Sequence, residues 1–568
     1  MAQVVDADVL VVGGGGAALR AAIEAHRAGA RVALATKGQL GVIGLRGGGA
    51  TASGTAADRR QFWPVSETGG VLEGAREDVI QLGLGMAAPK LSQIMVEEAP
   101  SSWKTLQRLG VRCGPGFWAP PGHFTCNLYG LVPILASTLR RTDCIIFEKT
   151  MVVSLLKFDG SCVGAIAMDE ETGELRAFRA GAVILGTGGA VQLYKHNLHP
   201  SCVTGDGYAV AYRAGAELLN LEFPQVFLGT VYPTTNNLAN WVWGEKVRVY
   251  NARNEEFLEK YLPRGASLAE AREQAQKHGP FSTRDSLSRY LYTSLLKEVM
   301  AGRGTIHDGV YMDLTAAGIR APIERDLWLR YRGIEWDREA FEVDVFAMCS
   351  NGGLRVDHHA QSTIPGLFAA GECVGGINGA DRHGGSMMGA SQVFAARAGV
   401  YAARLGTKSK RAPIPREAIE VEEQKISEIR AGRGRSEPRE IRKNLQLLAW
   451  NHLLVVRNRA GLENFLGGIE GLRKDKFPDM KIGDAKGVIE AIELQNLLLV
   501  GEMIAKAALT RTESRGGHYR EDCPERDDAK WMKSIVIKSS NGEMKLDTLS
   551  LHPNWRNRPE DMRGELWG

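Results

Sequence analysis

Residues 8–22 read DVLVVGGGGAALRAA, and this stretch decides the fold. Residues 9–12 form a short apolar run of the kind that a buried parallel strand needs. Gly13, Gly15 and Ala18 fit the spacing G-x-G-x-x-G/A, in which glycine allows a tight turn and a close backbone approach to a pyrophosphate. The helix that follows offers free N–H groups and the positive end of its dipole to phosphates. The stretch therefore predicts a strand, a turn and a helix that bind a dinucleotide.

The composition is that of a globular protein with several domains. The 568 residues are 44% hydrophobic and 24% charged, and the formal net charge is +4. This mild charge, without a basic stripe interleaved with aromatic residues, does not call for a nucleic-acid partner. No apolar run reaches the ~18–20 residues of a membrane helix, so we expect no direct membrane span. Eight cysteines without a C-x-x-C pair argue against a metal site in this chain and favour reduced thiols in the cytoplasm.

Three further segments are predicted to complete the dinucleotide pocket. Residues 30–35 predict a second strand, which ends in Thr36 and Lys37 rather than in the acid that many such sites use for ribose. Six glycines between positions 41 and 54 predict backbone that passes close to a large flat ligand. The strand 182–185 ends in a second glycine turn, where open α/β sheets bind ligands. Asp206 is able to cap the next helix or to bind a ribose or ribityl hydroxyl.

The rest of the chain is organised around these segments. Residues 145–158, 164–169 and 174–180 predict a three-stranded meander, with 182–185 as a separate buried strand. The composition then shifts to aromatics, arginines and charged helices, which indicates an inserted domain, and the sheet pattern resumes at Glu342. Later segments have apolar residues at helical spacing, and the final ~35 residues predict an extended arm.

Seven motifs in order make the chain resemble a known family. It is similar to the flavoprotein subunits of succinate dehydrogenase and fumarate reductase, with their relatives aspartate oxidase and adenylylsulfate reductase. The motifs are DVLVVGGGGAALRAA, AVILGTGGA, TGDGYAVAYRAGAE, STRDSLSRYL, NGGLRVD, GLFAAGECVGGINGADRHGG and ESRGGHYREDCPERDD. The resemblance implies an α/β fold, with a Rossmann-like FAD-binding domain, an inserted α+β capping domain, a C-terminal helical domain and an extended tail. We place the FAD-binding domain at 1–224 and 337–406, the capping domain at 225–336, the helical domain at 417–530 and the arm at 531–568.

The resemblance implies FAD as the cofactor. The residues expected near it are Gly13, Gly14, Gly15, Gly16, Ala17, Ala18, Thr36, Lys37, Arg46, Gly47, Gly48, Gly49, Ala50, Val152, Thr187, Gly188, Asp206, Glu372, Ser386, Met387 and Met388. The N–H groups at the start of the helix at 386–388 would stabilise negative charge on the reduced flavin.

The resemblance also implies hydride transfer between flavin N5 and a carbon beside a carboxylate, with three candidate catalytic residues. Arg284 matches an arginine that donates or accepts a proton, and since a guanidinium stays charged in water it would relay protons, with Asp285 as a candidate partner. Arg382 matches an arginine that clamps a substrate carboxylate, a task that suits its bidentate fork. The alternative for either arginine is a surface salt bridge. His383 stands where the family has an apolar residue, as a new polar contact or as a satisfied histidine outside the site.

Three departures from the family pattern bear on the substrate. The segment 41–54 contains no histidine, so we expect non-covalent FAD, which favours substrate reduction over succinate oxidation. Phe227 and Met348 stand where the family has histidines that bind a dicarboxylate. A buried carboxylate left without partners is penalised by about 1–3 kcal/mol or more. We therefore expect fumarate and succinate to bind poorly, and a substrate with one carboxylate or none and an apolar portion.

Several functions fit these observations. The leading one is an enoate-type reductase that receives electrons from a separate ferredoxin-like iron–sulfur subunit. The alternatives are an adenylylsulfate-reductase-like or aspartate-oxidase-like enzyme, or a non-catalytic flavin subunit for electron transfer, against which the presence of both Arg284 and Arg382 speaks. We expect a cytoplasmic protein that reaches the membrane face only through a partner.

Overall fold

The structure is a computed structural model that describes most of the chain. The described residues are 3–41, 60–64, 79–111, 113–115, 123–238, 241–277, 286–321, 323–382 and 386–550.

The described chain contains 21 strands in five sheets. The strands are β1 (Gln3–Val12), β2 (Val32–Ala35), β3 (Arg60–Pro64), β4 (Cys113–Pro115), β5 (His123–Asn127), β6 (Ile145–Phe147), β7 (Thr150–Phe158), β8 (Ser161–Asp169), β9 (Leu175–Leu185), β10 (Leu218–Leu219), β11 (Pro224–Tyr232), β12 (Asn236–Asn237), β13 (Arg248–Tyr250), β14 (Val310–Asp313), β15 (Phe341–Ser350), β16 (Gly353–Leu354), β17 (Leu367–Ala369), β18 (Val456–Arg457), β19 (Tyr519–Arg520), β20 (Lys533–Ser540) and β21 (Glu543–Ser550).

Thirteen α-helices accompany these strands in the described residues. They are α1 (Gly16–Arg27), α2 (Pro89–Arg108), α3 (Leu128–Arg140), α4 (Asp206–Ala214), α5 (Leu268–Lys277), α6 (Ser288–Glu298), α7 (Ile323–Tyr331), α8 (Ser386–Gly406), α9 (Arg416–Arg430), α10 (Pro438–His452), α11 (Arg459–Gly471), α12 (Ala485–Thr510) and α13 (Asp528–Trp531).

The central sheet confirms the predicted α/β class. Its strands run in the order β6-β2-β1-β9-β8-β7, and β17 also pairs with β9. The pairs of β1 with β2 and with β9 are parallel, so the carboxyl ends of these strands meet at one edge. Helix α1 follows β1 directly and packs closely on α8, where a Cβ at Gly399 would lie 2.4 Å from the carbonyl oxygen of Ala21. The predicted strand–turn–helix therefore sits at the centre of the sheet.

Strand β9 joins two predicted elements into one. The segments 174–180 and 182–185, expected as separate strands, form the continuous strand Leu175–Leu185. Its first half pairs antiparallel with β8, and β8 pairs antiparallel with β7, which gives the predicted three-stranded meander. The predicted first strand 145–158 is divided, however, because residues 145–147 form β6 and pair parallel with β2. The second half of β9 pairs parallel with β17. Strand β1 pairs with β9 over nearly the whole length of both strands, from Gln3 to Val12. This continuous pairing keeps the two halves of β9 in one strand.

The inserted region forms its own five-stranded sheet, in the order β12-β11-β15-β14-β13. Strand β15 (Phe341–Ser350) pairs with β11 from Pro224 to Tyr232, although its sequence was expected to resume the flavin-domain sheet at Glu342. The strand that returns to the central sheet is β17 instead. A period-two pattern shows that a strand exists but does not show which sheet it joins, and this explains the difference.

The C-terminal region is helical, as expected, and ends in a hairpin. Helix α12 is buried over most of its length. Strands β20 and β21 form the expected extended tail as an antiparallel pair, and β20 is fixed to β10 of the earlier chain. Residues 551–568 of the predicted arm lie outside the described part.

A network of buried charges fastens the C-terminal region to residue 222. Arg511 Nε lies 2.9 Å from Glu222 Oε1, and Arg511 Nη1 lies 2.9 Å from Glu513 Oε1. Glu513 Oε1 also lies 2.8 Å from Arg515 Nε, and all four side chains are fully buried. The ESRGGHYRED motif therefore builds part of the protein interior.

None of the helices in the described ranges is both long enough and apolar enough to cross a bilayer.

Candidate functional site

One cavity of about 460 Å³ lies at the carboxyl edge of the central sheet. The glycine turn before α1 forms one wall, and the turn after β9 forms another. Strand β15 of the inserted sheet also reaches this cavity, through Met348 and Cys349. The cavity therefore joins the two sheets at the point where the sequence predicts ligand binding.

The glycine turn is shaped to receive a phosphate group. Gly13 has φ +120°, and a Cβ there would lie 2.4 Å from the carbonyl oxygen of Gly186. A Cβ at Gly15 would meet no atom within 4 Å, so this backbone faces open space in the cavity wall. Ala18 packs against the second turn, where a Cβ at Gly186 would lie 2.8 Å from Ala18 Cβ. The turn thus fits the pyrophosphate of a dinucleotide, with Gly15 as the close approach and Ala18 behind the wall.

A buried ion cluster stands beside this turn. Lys37 Nζ lies 2.6 Å from Asp206 Oδ2 and 2.7 Å from Glu493 Oε1, and Nζ donates a hydrogen bond to Thr204 Oγ1. Burial alone would lower the pKa of Lys37, but the charges of the two carboxylates raise it above its usual value. Lys37 and Asp206 line the cavity, whereas Glu493 lies on α12. The helical domain therefore holds the side chains of the cofactor cavity in place.

Most of the other predicted cofactor residues also line this cavity: Gly13, Gly14, Gly15, Gly16, Ala17, Thr36, Lys37, Val152, Thr187, Gly188, Asp206, Glu372, Met387 and Met388. Ser386 and Ala18 are not among its lining residues, and the Ser386 hydroxyl instead donates to Asn378 Oδ1. Arg46 and residues 47–50 lie outside the described residues.

Glu372 brings a titratable carboxyl to the cavity wall. Burial raises the pKa of Glu372 to about 7, although a hydrogen bond from the backbone N–H of Ser350 and the charge of Arg382 both oppose the rise. The Ser350 nitrogen lies 3.1 Å from Glu372 Oε1. This carboxyl therefore changes charge near neutral pH and is able to accept or donate a hydrogen bond to a bound ribose or ribityl hydroxyl.

Arg382 is placed inside the cavity rather than at the surface. Its side chain is buried and lines the cavity, and its Nη2 donates to Cys349 Sγ at 3.1 Å. Its backbone N–H donates to Asp381 Oδ1, which also accepts from Gln225 Nε2 at 2.5 Å. The surface-salt-bridge alternative for Arg382 is thus ruled out. Arg284 and His383, the other two catalytic candidates, lie outside the described residues.

The cavity wall next to Arg382 is apolar. Met348 and Cys349 line the cavity and pack in one cluster with Leu198, Phe227 and Phe346. The rings of Phe227 and Phe346 lie 5.6 Å apart, behind the lining residues. Burial raises the pKa of Cys349 to about 11, so its thiol stays neutral at physiological pH. Of the two positions where the resemblance leads us to expect histidines, Met348 therefore contributes thioether surface to the cavity, whereas Phe227 is not among the lining residues and packs behind them.

The structure adds His199, which the sequence reasoning missed. His199 lines the cavity, and burial lowers its pKa to about 4, with Arg382 acting in the same direction. Its place in the loop after β9, at the carboxyl edge of the sheet, was the available signal. Glu493 and Cys349 were also missed, because nothing in their local sequence indicates contact with a distant turn.

Comparisons with known proteins agree with this geometry. The FAD binding domain family matches residues 8–388, and the family described as fumarate reductase flavoprotein C-term matches residues 442–562. The chain is 33% identical to one of the subunits of the fumarate reductase (CoM/CoB) of Methanothermobacter marburgensis, over 94% of this chain and 97% of that protein. The chain belongs to the succinate dehydrogenase/fumarate reductase flavoprotein family. It is thus an FAD-dependent oxidoreductase of the type that acts on CH–CH groups.

Solved structures of family members share the whole fold. The flavoprotein of Escherichia coli quinol fumarate reductase superimposes with a TM-score of 0.79 at 25% identity, covering 97% of both chains. Adenylylsulfate reductase from Archaeoglobus fulgidus superimposes with a TM-score of 0.73 at 20% identity, covering 97% of this chain and 96% of that one. The second likeness shows a common fold only.

Proposed function

We propose that this flavoprotein reduces a carbon–carbon double bond next to a carboxylate or carbonyl, in an enoate other than fumarate. The observation that carries the proposal is the buried guanidinium of Arg382 beside an apolar wall. Bound FAD supplies the hydride chemistry that members of this family share.

Arg382 binds and orients the substrate in this proposal. Its side chain is buried and its Nη2 donates to Cys349 Sγ, so the guanidinium is positioned before a substrate arrives. A positioned fork binds one carboxylate through two parallel hydrogen bonds. The Met348 side of the cavity excludes water and favours an apolar substituent on the substrate. Arg284 remains the proposed proton donor and His383 a proposed polar contact, both on the family resemblance.

Fumarate is the competing substrate, because the relative at 33% identity is named a fumarate reductase. A second carboxylate would face Met348, which offers no hydrogen-bond donor in its side chain. Leaving a buried charge without a partner costs about 3–5 kcal/mol. The proposal therefore expects fumarate to bind far more weakly than a monocarboxylate enoate.

Electron supply is proposed to come from an iron–sulfur subunit. The relatives are named as subunits, so a family member normally works with partners. No group of three or more His, Cys, Asp or Glu side chains in the described ranges could hold a metal ion. We propose that the chain reaches the membrane face only through such a partner, and that its FAD is held without a covalent bond.

Steady-state assays with reduced viologen as donor test the proposal. Crotonate and other monocarboxylate enoates are compared with fumarate and adenylylsulfate, and peroxide release in air tests an oxidase. The variant Arg382→Gln is expected to lose about 100-fold or more in kcat/KM, since it removes a buried charged partner. Arg404→Gln, an exposed arginine over the Tyr401 ring, is the matched control. Micromolar affinity for fumarate by calorimetry, or full activity of Arg382→Gln, contradicts the proposal.

A further inference from the structure

Gln225 is a buried polar side chain next to the wall that carries Cys349. It lies on β11 directly opposite Cys349 of β15, so the two side chains share one face of the strand pair. Cys349 is among the residues that line the cavity, and Gln225 is not. Any effect of Gln225 on a bound substrate is therefore exerted through its neighbours.

An irregularity in this strand pair brings Cys349 to the cavity wall. Gln225 pairs with Cys349 and the next residue, Val226, pairs with Ala347, so Met348 is an extra residue in β15. Successive side chains of a regular strand face opposite sides of the sheet, yet Met348 and Cys349 both line the cavity. A bulge of this kind turns a side chain to a new direction, and such bulges are frequent next to active sites.

A directed chain of hydrogen bonds links Asp381 to the guanidinium of Arg382. Asp381 Oδ1 accepts a hydrogen bond from Gln225 Nε2 at 2.5 Å. With its nitrogen bound to the carboxylate, the amide presents Oε1 to Cys349, whose Sγ donates to it at 3.7 Å. The thiol proton is thus directed away from the guanidinium, and the sulfur accepts from Arg382 Nη2 at 3.1 Å.

The backbone at the start of this chain is packed against one glycine pair. A Cβ at Gly517 would lie 1.8 Å from the carbonyl oxygen of Pro224, and a Cβ at Gly516 would lie 2.4 Å from that of Ala380. Pro224 and Ala380 immediately precede the two residues that the first hydrogen bond joins. That hydrogen bond therefore connects two closely packed backbone segments.

We propose that Gln225 is a positioning residue for the substrate carboxylate. Its amide orients the Cys349 thiol as an acceptor, and the sulfur in turn fixes the orientation of the Arg382 guanidinium in the cavity. This inference rests on the carboxylate binding at Arg382 in the proposed function, and it adds the residue that keeps the binding fork aligned. Alignment matters because a misplacement of about 1 Å costs up to about 100-fold in rate, and a bidentate pair needs both hydrogen bonds in one plane.

Steady-state reduction of crotonate with reduced viologen, and calorimetry of crotonate on the oxidised holoenzyme, test this inference. Gln225→Met keeps the length of the side chain and removes the amide. We expect kcat/KM to fall about 10- to 100-fold and the dissociation constant of crotonate to rise by a similar factor. The matched control is Gln446→Met, which removes a hydrogen bond to the backbone carbonyl of Gln192 and should behave as the wild type. Unchanged kcat/KM and crotonate affinity in Gln225→Met overturn the inference.

A double variant shows whether Gln225 acts through Arg382. Gln225→Met combined with Arg382→Gln should keep kcat/KM within about 3-fold of Arg382→Gln alone, because no guanidinium is left to position. A purely structural role of Gln225 would instead multiply the two losses, and this result overturns the inference. If Gln225→Met does not bind FAD, Gln225→Asn takes its place, since its amide is one methylene too short to reach both partners.

Two variants of Cys349 test the thiol as the link. Cys349→Ala should reproduce the loss seen in Gln225→Met. Cys349→Ser keeps a donor and an acceptor, and it should recover at least about 5-fold of that loss. Equal losses in the two variants overturn the inference.

Binding and turnover together separate this inference from the proposed function. If the wild type binds crotonate without reducing it, the proposed reaction fails, and calorimetry on the variants still decides the role of Gln225. If the wild type reduces crotonate and Gln225→Met matches it, only the role of Gln225 fails. If the wild type neither binds nor reduces an enoate, both fail.

Discussion

Replacing Glu493 with glutamine tests whether the helical domain holds the cofactor cavity together. Glu493 is buried on α12 and lies 2.7 Å from Lys37 Nζ, which itself lines the cavity. The substitution keeps the shape of the side chain and removes its charge. Lys37 then depends on Asp206 alone for its counter-charge.

The expected magnitude follows from the contacts. A hydrogen bond to a charged group contributes about 1.5–3 kcal/mol, which corresponds to about 10- to 150-fold in an equilibrium constant. Burial raises the pKa of Glu493, and the negative charge of Asp206 adds to the rise, so its loss also removes a repulsion. Since Lys37 keeps the Asp206 contact at 2.6 Å, we expect the lower half of the range, about 2 kcal/mol.

Two measurements report this effect. One is urea unfolding of the holoenzyme, and the other is FAD dissociation monitored by flavin fluorescence. Glu490→Gln is the matched control on the same helix, because Glu490 pairs with the exposed Arg439 at 3.2 Å. A pair of this kind contributes less than about 1 kcal/mol. A double-mutant cycle with Lys37→Met isolates the pairwise energy. If Glu493→Gln and Glu490→Gln are indistinguishable in both measurements, the role given to α12 is wrong.

Three further outcomes are expected. Gly186→Ala places a methyl group 2.8 Å from Ala18 Cβ. We expect the unfolding free energy to fall by about 1–3 kcal/mol and FAD to bind more weakly in a fluorescence titration. Unchanged FAD affinity would contradict this expectation. Burial raises the pKa of Glu372 to about 7. Between about pH 4.5 and 7 the folded apoprotein therefore binds more protons than the unfolded chain. Its free energy of unfolding should fall by about 2–3 kcal/mol as the pH rises through that window. Urea midpoints from pH 5 to 8 should show this fall in the wild type and a flatter profile in Glu372→Gln. Glu513→Gln leaves two buried guanidinium groups short of a counter-charge, and we expect it to lower the unfolding free energy by about 3–5 kcal/mol. The control Glu543→Gln, at an exposed position in β21, should be nearly neutral. Similar urea midpoints for these two variants would refute the role of the network.

The residues on the cofactor side of the site can be predicted well from the sequence. Gly13, Gly15 and Ala18 are predicted from spacing alone because a tight turn, a close backbone approach and a close helix contact each restrict the side chain. The glycine turn after β9 follows the same rule. Such local restrictions are visible in a single stretch of chain.

The substrate half depends on contacts that a single stretch does not contain. Cys349 meets Arg382 across 33 residues, and β15 reaches the cavity from a different sheet than its sequence pattern suggests. His199 has no motif, and its buried Nε2 is recognised only when its surroundings are known. Long-range packing therefore shapes the cavity wall around Arg382, while the local turns shape the wall that is proposed to hold the cofactor.

Lys37 and Glu493 are separated by 456 positions in the chain, yet their charges neutralise each other in one cluster. During synthesis, the ribosome releases the nucleotide-binding turn long before it has made α12. A nascent or truncated chain that stops before α12 exposes a half-paired lysine at its ligand site, and so it should take up flavin poorly. Flavin binding would therefore begin only when translation is nearly complete. Stalled ribosome complexes that carry nascent chains of graded length should show this, because only chains that include α12 would contain flavin.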